Sequence, residues 1–321
     1  MAETTMQRRA VAEAIGENVT VLEPRAAELD PVGYTRRRKL VRAALGVAVP
    51  VALVLLWELA SKRGWISQRE FPPPSRIAEK FWHMVTGSGT ITIEGQEVDD
   101  SRIYGIFGDP PPTFWDLVWI TTKRILIGFT IGSLAGVIVG FVMGSFSYVR
   151  AALEPLFNAL YTVPKLALTP VFFAVWSIRD DKPMYSVVAI TTFFFIWIST
   201  MSAMLSIAEG YREAASSFRV SRWKMFRHVT MPASVPQIAV GVRIAAGVAV
   251  LTTLSIELLL GANGSGIGTM IFNSKDLQMY DQMYVGIFTS ALMGVVFTAA
   301  VSWLTARMAP WAPNARAMKV L

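Results

Sequence analysis

The chain has 321 residues, of which 53% are hydrophobic and only 17% are charged, and its formal net charge is +7. A composition this apolar excludes an ordinary soluble globular protein of the same length and is typical of an integral membrane protein. The chain has no cysteine, which excludes disulfides and thiolate chemistry, and two isolated histidines, His83 and His228, predict no metal site.

Residues 1–39 are polar and mixed in charge, and they predict a flexible tail without a packed core. The first hydrophobic stretch, residues 40–60, begins too late and runs too long for a cleavable signal peptide. It therefore predicts a first transmembrane helix. The cations at residues 36–39 place the N-terminus in the cytoplasm by the positive-inside rule.

Residues 61–118 are predicted to form an external segment. Residues 75–85 indicate a short amphipathic helix that Ser75 caps, with apolar side chains on one face. Residues 90–93 predict a small strand in the Gly-, Asp- and Pro-rich part that follows.

Residues 119–306 are predicted to form a core of five further transmembrane helices. The hydrophobic stretches that predict them lie at residues 125–146, 156–176, 184–207, 238–260 and 282–306. Six crossings give an all-α integral membrane protein and return the C-terminal tail, residues 307–321, to the cytoplasmic side. The positive charges of the chain are thus assigned to the membrane surface, and a role in nucleic-acid binding is not expected.

The second hydrophobic stretch carries five glycines in steps of four, and they lie on one slowly rotating helix face. They are Gly128, Gly132, Gly136, Gly140 and Gly144. Such a face lets two helix backbones approach closely inside a membrane. Two interpretations stay open, tight packing within one subunit and a contact with a moving helix or a second subunit.

Lys165 lies in a hydrophobic stretch between Pro164 and Pro170, which are expected to break or bend the helix. The lysine either reaches the cytoplasmic interface, after an amphipathic helix at residues 151–159, or faces the pathway and attracts an anion. Other pathway candidates are neutral hydroxyl side chains, namely Thr169, Thr191, Thr192 and Ser255.

A loop at residues 207–236 predicts a helix–turn–helix that lies at the cytoplasmic surface. Apolar residues recur at helical spacing in its first half, and Ser221 can cap a second short helix that carries Trp223. Pro232 and Pro236 are expected to stop that helix. Beyond the loop, Arg243 and Glu257 are too far apart to pair within one helix, so each is expected at a membrane interface. Residues 264–271 are expected to form a flexible, glycine-rich hinge.

In the loop, Glu213, Ala214 and Ala215 are followed after three residues by Arg219, and after nine more by Val229, Thr230, Met231 and Pro232. This spacing resembles the signature loop of permease subunits of bacterial ABC importers, in which the position of Thr230 accepts any residue. Arg219 stands where the family has glycine, so the turn is expected to differ slightly or to be strained. Shorter phrases, among them residues 71–75, 124–129, 163–170 and 264–271, resemble the nitrate, sulfonate and taurine branch of these permeases.

The resemblance implies a type I ABC importer permease fold in a bacterial inner membrane, with no catalytic residue and no cofactor in this chain. Two separate ATPase subunits, which bind ATP and Mg²⁺, are expected to dock on the loop. Coupling is implied for Glu213, Ala214, Ala215, Arg219, Trp223, Val229, Met231 and Pro232. The glycine-rich residues 264–271 lack the Lys-Ser/Thr pair of a phosphate-binding loop, which agrees with ATP hydrolysis on another chain.

The resemblance also implies a second permease copy, usually identical, and an external binding protein that delivers the solute. The expected solute is a small anion of the sulfonate, nitrate, taurine or carboxylate kind. An ion-coupled secondary transporter or channel stays open as an alternative. That class needs ionisable groups at mid-membrane, and it leaves the helix–turn–helix loop unexplained.

Overall fold

The structure is a computed structural model, and it describes residues 31–87, 90–93, 96–99, 112–176, 180–207, 210, 217–218, 220–260 and 264–311. The chain divides into two compact units, residues 1–66 and residues 67–321. The first unit contains helix α1, Pro31–Lys62, which begins earlier than the predicted start at residue 40. Its apolar part, Ala44–Lys62, is long enough to cross a membrane.

The second unit contains the remaining elements in the following order. They are α2 (Pro74–Thr86), β1 (Thr90–Ile93), β2 (Gln96–Asp99), α3 (Phe114–Ser145), α4 (Ser147–Thr162), a 3₁₀ helix (Lys165–Leu168), α5 (Thr169–Trp176), α6 (Lys182–Leu205), α7 (Arg222–Met225), a π-helical segment (Phe226–Thr230), α8 (Met231–Leu260), α9 (Ile267–Asp276) and α10 (Tyr280–Met308). Among the described residues, the regular structure of this unit is helical apart from one small hairpin, in which β1 and β2 pair antiparallel.

Helix α2 is the amphipathic helix predicted in the external segment. It buries Ile77 and Met84 on its apolar face. The predicted cap is wrong: Pro73 occupies the N-cap position and Pro74 the first turn, so Ser75 lies inside the helix. Proline suits this place because its fixed φ is already helical and the missing N–H has no partner in a first turn.

Helix α3 begins at Phe114, within the segment that was predicted to be external as far as residue 118. A capping box causes this early start, because the Thr113 hydroxyl accepts from the Asp116 N–H while the Asp116 carboxylate accepts from the Thr113 N–H. The two reciprocal bonds satisfy donors that a helix start otherwise leaves without partners.

The glycine face of α3 packs against α6, and the two helices run parallel with a constant register. Gly128 lies against Val188, Gly136 against Ile196 and Gly144 against Met204. A Cβ placed on any of the five glycines would come within 3 Å of an atom of α6. The described contact of this face is therefore a close backbone approach within one subunit.

The predicted third span is broken near Pro164, as its prolines predict, and is not one continuous helix. Helix α4 and the stretch Lys165–Trp176 meet at an angle of 87° across a short break. Pro164 lies in this break, where its ring and missing N–H prevent the α-helical hydrogen-bond pattern from continuing. Helix α4 spans the amphipathic stretch predicted at residues 151–159.

In the described part of the chain, five helices are long and apolar enough to cross a membrane, or six if the bent pair counts as one span. Helix α8 lies against α6 in the opposite direction, with Gly241 against Ser199, and α10 lies against α8. Helix α9 corrects the predicted hinge, because Ile267–Asp276 forms a regular helix whose first six residues are mostly buried.

Candidate coupling and transport site

The helix bundle has two ends that carry the candidate site residues. We call the Glu257 end the one where α3 and α6 begin and α8 terminates. We call the Trp223 end the one where α3 and α6 terminate and where α7 lies. Helix α8 runs antiparallel to α3 and α6, so it extends from the Trp223 end to the Glu257 end.

At the Trp223 end, Ser221 begins α7 as the sequence predicts. Its hydroxyl accepts from the Lys224 N–H at 3.4 Å, and its carbonyl accepts from the Met225 N–H at 2.9 Å. These bonds satisfy donors in the first turn and orient the helix start. Glu213, Ala214, Ala215 and Arg219 lie outside the described residues.

The prediction that Pro232 and Pro236 stop the helix is wrong. Residues 223–260 form one continuous helical run that contains both prolines. The π-helical turn at Phe226–Thr230, where the Met231 N–H donates to the Phe226 carbonyl five residues earlier, lies directly before Pro232. A wider turn relieves the clash between a proline ring and the carbonyl four residues before it, so the helix continues. Val229 lies in this π turn and Met231 follows it.

Aromatic side chains give the Trp223 end its shape. The Trp223 ring stacks on Phe226 with 5.8 Å between centroids, and Phe226 makes an edge contact with Phe141 of α3 at 5.7 Å. Trp223 nevertheless exposes 67% of its surface. An apolar cavity of about 640 Å³ lies between these rings, Met204 and the last turn of α3. An exposed tryptophan held by a second ring is a suitable anchor for a partner protein.

Lys165 lies at the bend between α4 and α5 and is half-buried. Its ammonium group donates to the Tyr161 carbonyl, and it lies 4.5 Å from the Tyr161 ring centroid and 5.1 Å from that of Phe194. Both rings stabilise a cation at this position. Thr169, also at the bend, is buried, and its hydroxyl has no hydrogen-bond partner among the described residues.

The other pathway candidates lie on α6 and α8. Thr191 is buried and bonds to the Val187 carbonyl, and half-buried Ser255 bonds to the Leu251 carbonyl. Thr192 does not fit a pathway role, because it is fully buried at the contact between α6 and the Gly132 backbone. The position of Thr192 in a hydrophobic stretch did not indicate that its side chain lies on the face of α6 that contacts α3.

The Glu257 end holds a buried ion network that the sequence interpretation missed. The Glu257 side chain is 0% exposed, and its carboxylate accepts from Arg124 Nη1 at 2.9 Å. It also accepts from the Thr121 hydroxyl at 3.0 Å and from the Gly268 N–H at 2.9 Å. Arg124 Nε and Nη2 donate to Asp181 at 2.9 and 2.7 Å. One buried guanidinium thus connects carboxylates of α8 and of the turn before α6.

The turn before α9 closes around this carboxylate. The Ile267 N–H donates to the Thr121 hydroxyl at 2.9 Å, and Arg124 donates to the carbonyl and the hydroxyl of Ser265. Gly266 has φ +123°, and a Cβ there would lie 2.3 Å from Glu257 Oε1. Glycine is required at this place for both its backbone conformation and its lack of a side chain.

Glu257 is buried within the protein in the last turn of α8, and its position at a membrane interface stays a prediction. Arg243 is half-buried and donates to the Thr305 hydroxyl at 2.9 Å. The sequence did contain a signal. Arg124 lies within α3, Asp181 directly precedes α6 and Glu257 lies in the last turn of α8, so the sequence contains residues of opposite charge in three segments. Sequence spacing alone does not show that these ends meet.

Asp181 lies outside the membrane-spanning helices and connects the network to a polar cavity. Its partial burial opposes ionisation, but the nearby charge and hydrogen bonds of Arg124, with Lys123 at 3.0 Å, outweigh burial and lower the pKa of Asp181. The cavity has a volume of about 730 Å³. Its lining consists of Ile120, Lys123, Asp180, Asp181, Lys182, Tyr185 and Ser265.

Comparison with known proteins assigns a family to this architecture. Residues 132–312 match the family described as binding-protein-dependent transport system inner membrane component. This match covers more than half of the chain and includes α6, the Trp223 end, α8 and α10.

Three similar proteins each match more than four-fifths of the chain. SsuC of Escherichia coli (strain K12), a permease protein named for aliphatic sulfonates transport, is 32% identical over 83% of this chain and 90% of its own length. The nitrate import permease protein NrtB of Leptolyngbya laminosa is 27% identical over 89% of this chain and 96% of its own. The taurine transport system permease protein TauC of Escherichia coli (strain K12) is 24% identical over 84% and 90%.

A solved structure supports the fold. An inward-facing form of the MetNI methionine ABC transporter contains a chain that superposes with a TM-score of 0.53 and 14% sequence identity. The superposition covers 63% of this chain and 99% of that one. The chain is thus a transport permease rather than an enzyme, and it belongs to the inner membrane component family of binding-protein-dependent, ATP-driven transport systems.

Proposed function

We propose that this chain forms the translocation pathway of an importer for a small anionic solute, of the sulfonate, nitrate, taurine or organic carboxylate kind. The relatives named above for aliphatic sulfonates, nitrate and taurine support this solute class. An external binding protein delivers the solute, and two identical permeases enclose the pathway. Family membership favours this importer over an ion-coupled transporter or channel.

The observation that carries the proposal is the continuity between the Trp223 end and α8. An ATPase subunit, which holds ATP and Mg²⁺, docks at residues 213–232 in the cytoplasm, and both chain termini lie on that side. Exposed Trp223 provides an apolar anchor, and the cations that follow it, among them Lys224 and Arg227, provide charge for an acidic partner surface. Movement of the ATPase is then applied directly to a helix that crosses the membrane.

Half-buried Lys165 supports an anionic solute. A cation in a low-dielectric region lowers the electrostatic barrier for an anion, and the two rings that hold Lys165 keep its charge inside the protein. Thr169 lies at the same bend and supplies a hydroxyl group. In this proposal the pathway passes the bend between α4 and α5.

The experiment that tests docking compares two exposed aromatic residues at the Trp223 end. Trp223→Ala should weaken copurification with the ATPase by about tenfold, since anchors of this kind contribute more than 1 kcal/mol. Glu213→Lys should weaken it as well, because it reverses a charge at the predicted socket, while Arg219→Gly should be tolerated.

Tyr148→Ala is the matched control, because Tyr148 is 90% exposed at the start of α4 and lies outside the docking segment. It should leave copurification unchanged. Equal binding of the ATPase by Trp223→Ala, Glu213→Lys and the unsubstituted protein would show that the ATPase docks elsewhere.

A further inference from the structure

The ion network connects four helices at the Glu257 end. Arg124 and Thr121 come from α3, Asp181 precedes α6, Glu257 comes from α8 and Gly268 lies in the first turn of α9. Each partner bonds directly to Arg124 or to Glu257. A movement of one helix end relative to the others must therefore break a buried, charge-assisted hydrogen bond.

Helix α8 extends from this network to the place where the ATPase is proposed to dock. Residues 223–260 form one helical run of 38 residues, which corresponds to roughly 57 Å at the usual rise per residue. Between the ends, α8 packs on α6 through small residues such as Gly241 and Ser199. Contacts of this kind keep the two helices close along their length.

Stability alone does not account for a buried ion network. Replacing such a pair by apolar side chains of similar volume is often neutral or stabilising, since burying two charges costs free energy. What a hydrogen-bonded network adds is a single defined geometry. Here that geometry is next to the polar cavity, because Asp181 and Ser265 belong to the network and also line the cavity.

We propose that Arg124 and Glu257 are positioning residues for transport. They clamp the ends of α3, α6, α8 and α9 into one rigid body, so that a displacement of α8 at the Trp223 end moves the cavity at the Glu257 end. This inference rests on the proposed function, because it takes the Trp223 end as the place where the ATPase acts.

The test uses one reporter cysteine at each end, since the native chain has no cysteine. Ile120→Cys lines the cavity, and Ala233→Cys is exposed on α8 just beyond the proposed docking segment. In the transporter purified with its ATPase, ATP with vanadate should change the rate of thiol labelling at both positions. Adding Glu257→Gln should preserve the change at position 233 and reduce the change at position 120 by about tenfold, a typical coupling between sites.

Asp281→Asn is the control, because it breaks the Arg76–Asp281 ion pair of 2.8 Å without touching the network, and both responses should persist.

If Glu257→Gln does not accumulate, Asp181→Asn should reduce the same response at position 120, since it removes the edge of the network. A full response at position 120 in these variants would overturn the clamp. So would loss of both responses together, because a purely structural role predicts that result. If the protein that carries only the two reporter cysteines shows no response at either position, the proposed function fails, and this inference fails with it.

Discussion

The two ends of the helix bundle use charge and aromatic groups in opposite ways. At the Glu257 end, charged side chains are bonded to one another inside the protein, since Arg124 donates to both Asp181 and Glu257. At the Trp223 end, aromatic and cationic side chains are exposed around an apolar cavity. The first arrangement fixes four helices within one chain, and the second leaves a surface to which a partner can bind.

The backbone also differs between the two ends. At the Trp223 end, a π turn interrupts the α-helical hydrogen-bond pattern just before Pro232. At the Glu257 end, Gly266 and Gly268 bring the backbone of one turn against a carboxylate. The three changes below remove a buried charge, force two helices apart and protonate Asp181, and they should reduce stability by decreasing amounts.

The largest effect is expected from Glu257→Ala. The substitution leaves Arg124 almost fully buried with one carboxylate partner fewer, and breaking a buried pair in this way costs about 3–5 kcal/mol. Denaturant unfolding in detergent measures the loss. Asp281→Asn, which breaks a partly exposed pair, should cost about 1 kcal/mol or less. Equal losses in the two variants would contradict a special role for the buried network.

A smaller effect is expected from Gly132→Ala in the middle of the bundle. The new methyl group would lie 1.9 Å from the Thr192 hydroxyl and 2.3 Å from the Ala189 carbonyl, so α3 and α6 must separate. Overpacking of this kind costs about 1–3 kcal/mol. Gly247→Ala is the control, because its nearest neighbour is 3.9 Å away, and thermal stability should stay equal or rise. If both substitutions are neutral, the close contact of α3 and α6 is not needed for stability.

The smallest effect is expected from acid acting on Asp181. The pKa of Asp181 is lower in the folded protein than its ordinary value of 3.8, so the carboxylate stabilises the fold above that value. This contribution is lost as the pH falls through the lower, folded-state pKa. Because Asp181 is only half-buried, solvent limits the loss to about 1 kcal/mol. Asp181→Asn should therefore flatten the dependence of stability on pH below about 4, and an unchanged acid profile would contradict this assignment.

Hydrophobic length predicted most of the membrane-spanning helices, because about 20 apolar residues in succession are needed to cross a bilayer. Five of the six predicted stretches lie within helices α1, α3, α6, α8 and α10 apart from a residue or two at an end. The stretch at residues 156–176 is apolar enough for a membrane span, but its helix breaks at Pro164. A count of apolar residues does not include this effect of proline on the backbone.

The effect of each proline depended on its surroundings. Pro164 coincides with a break of 87°, whereas Pro232 and Pro236 lie inside a continuous helix. A preceding π turn accommodates Pro232, and the sequence contains no simple signal for that turn. Ser221 was predicted correctly as a cap because its bonds reach only three and four residues along the chain.

By itself, the sequence determined the class of protein, the approximate helix limits, the glycine face of α3 and the family signature at residues 213–232. These properties depend on composition or on spacing along the chain, so they can be read locally. Only the tertiary structure decided that Arg124, Asp181 and Glu257 meet, since these residues are separated by 57 and 133 positions and pair across three helices. The physical reason is that burial and charge pairing depend on which helices pack together. Contacts between distant segments leave no regular pattern along the sequence from which they could be predicted.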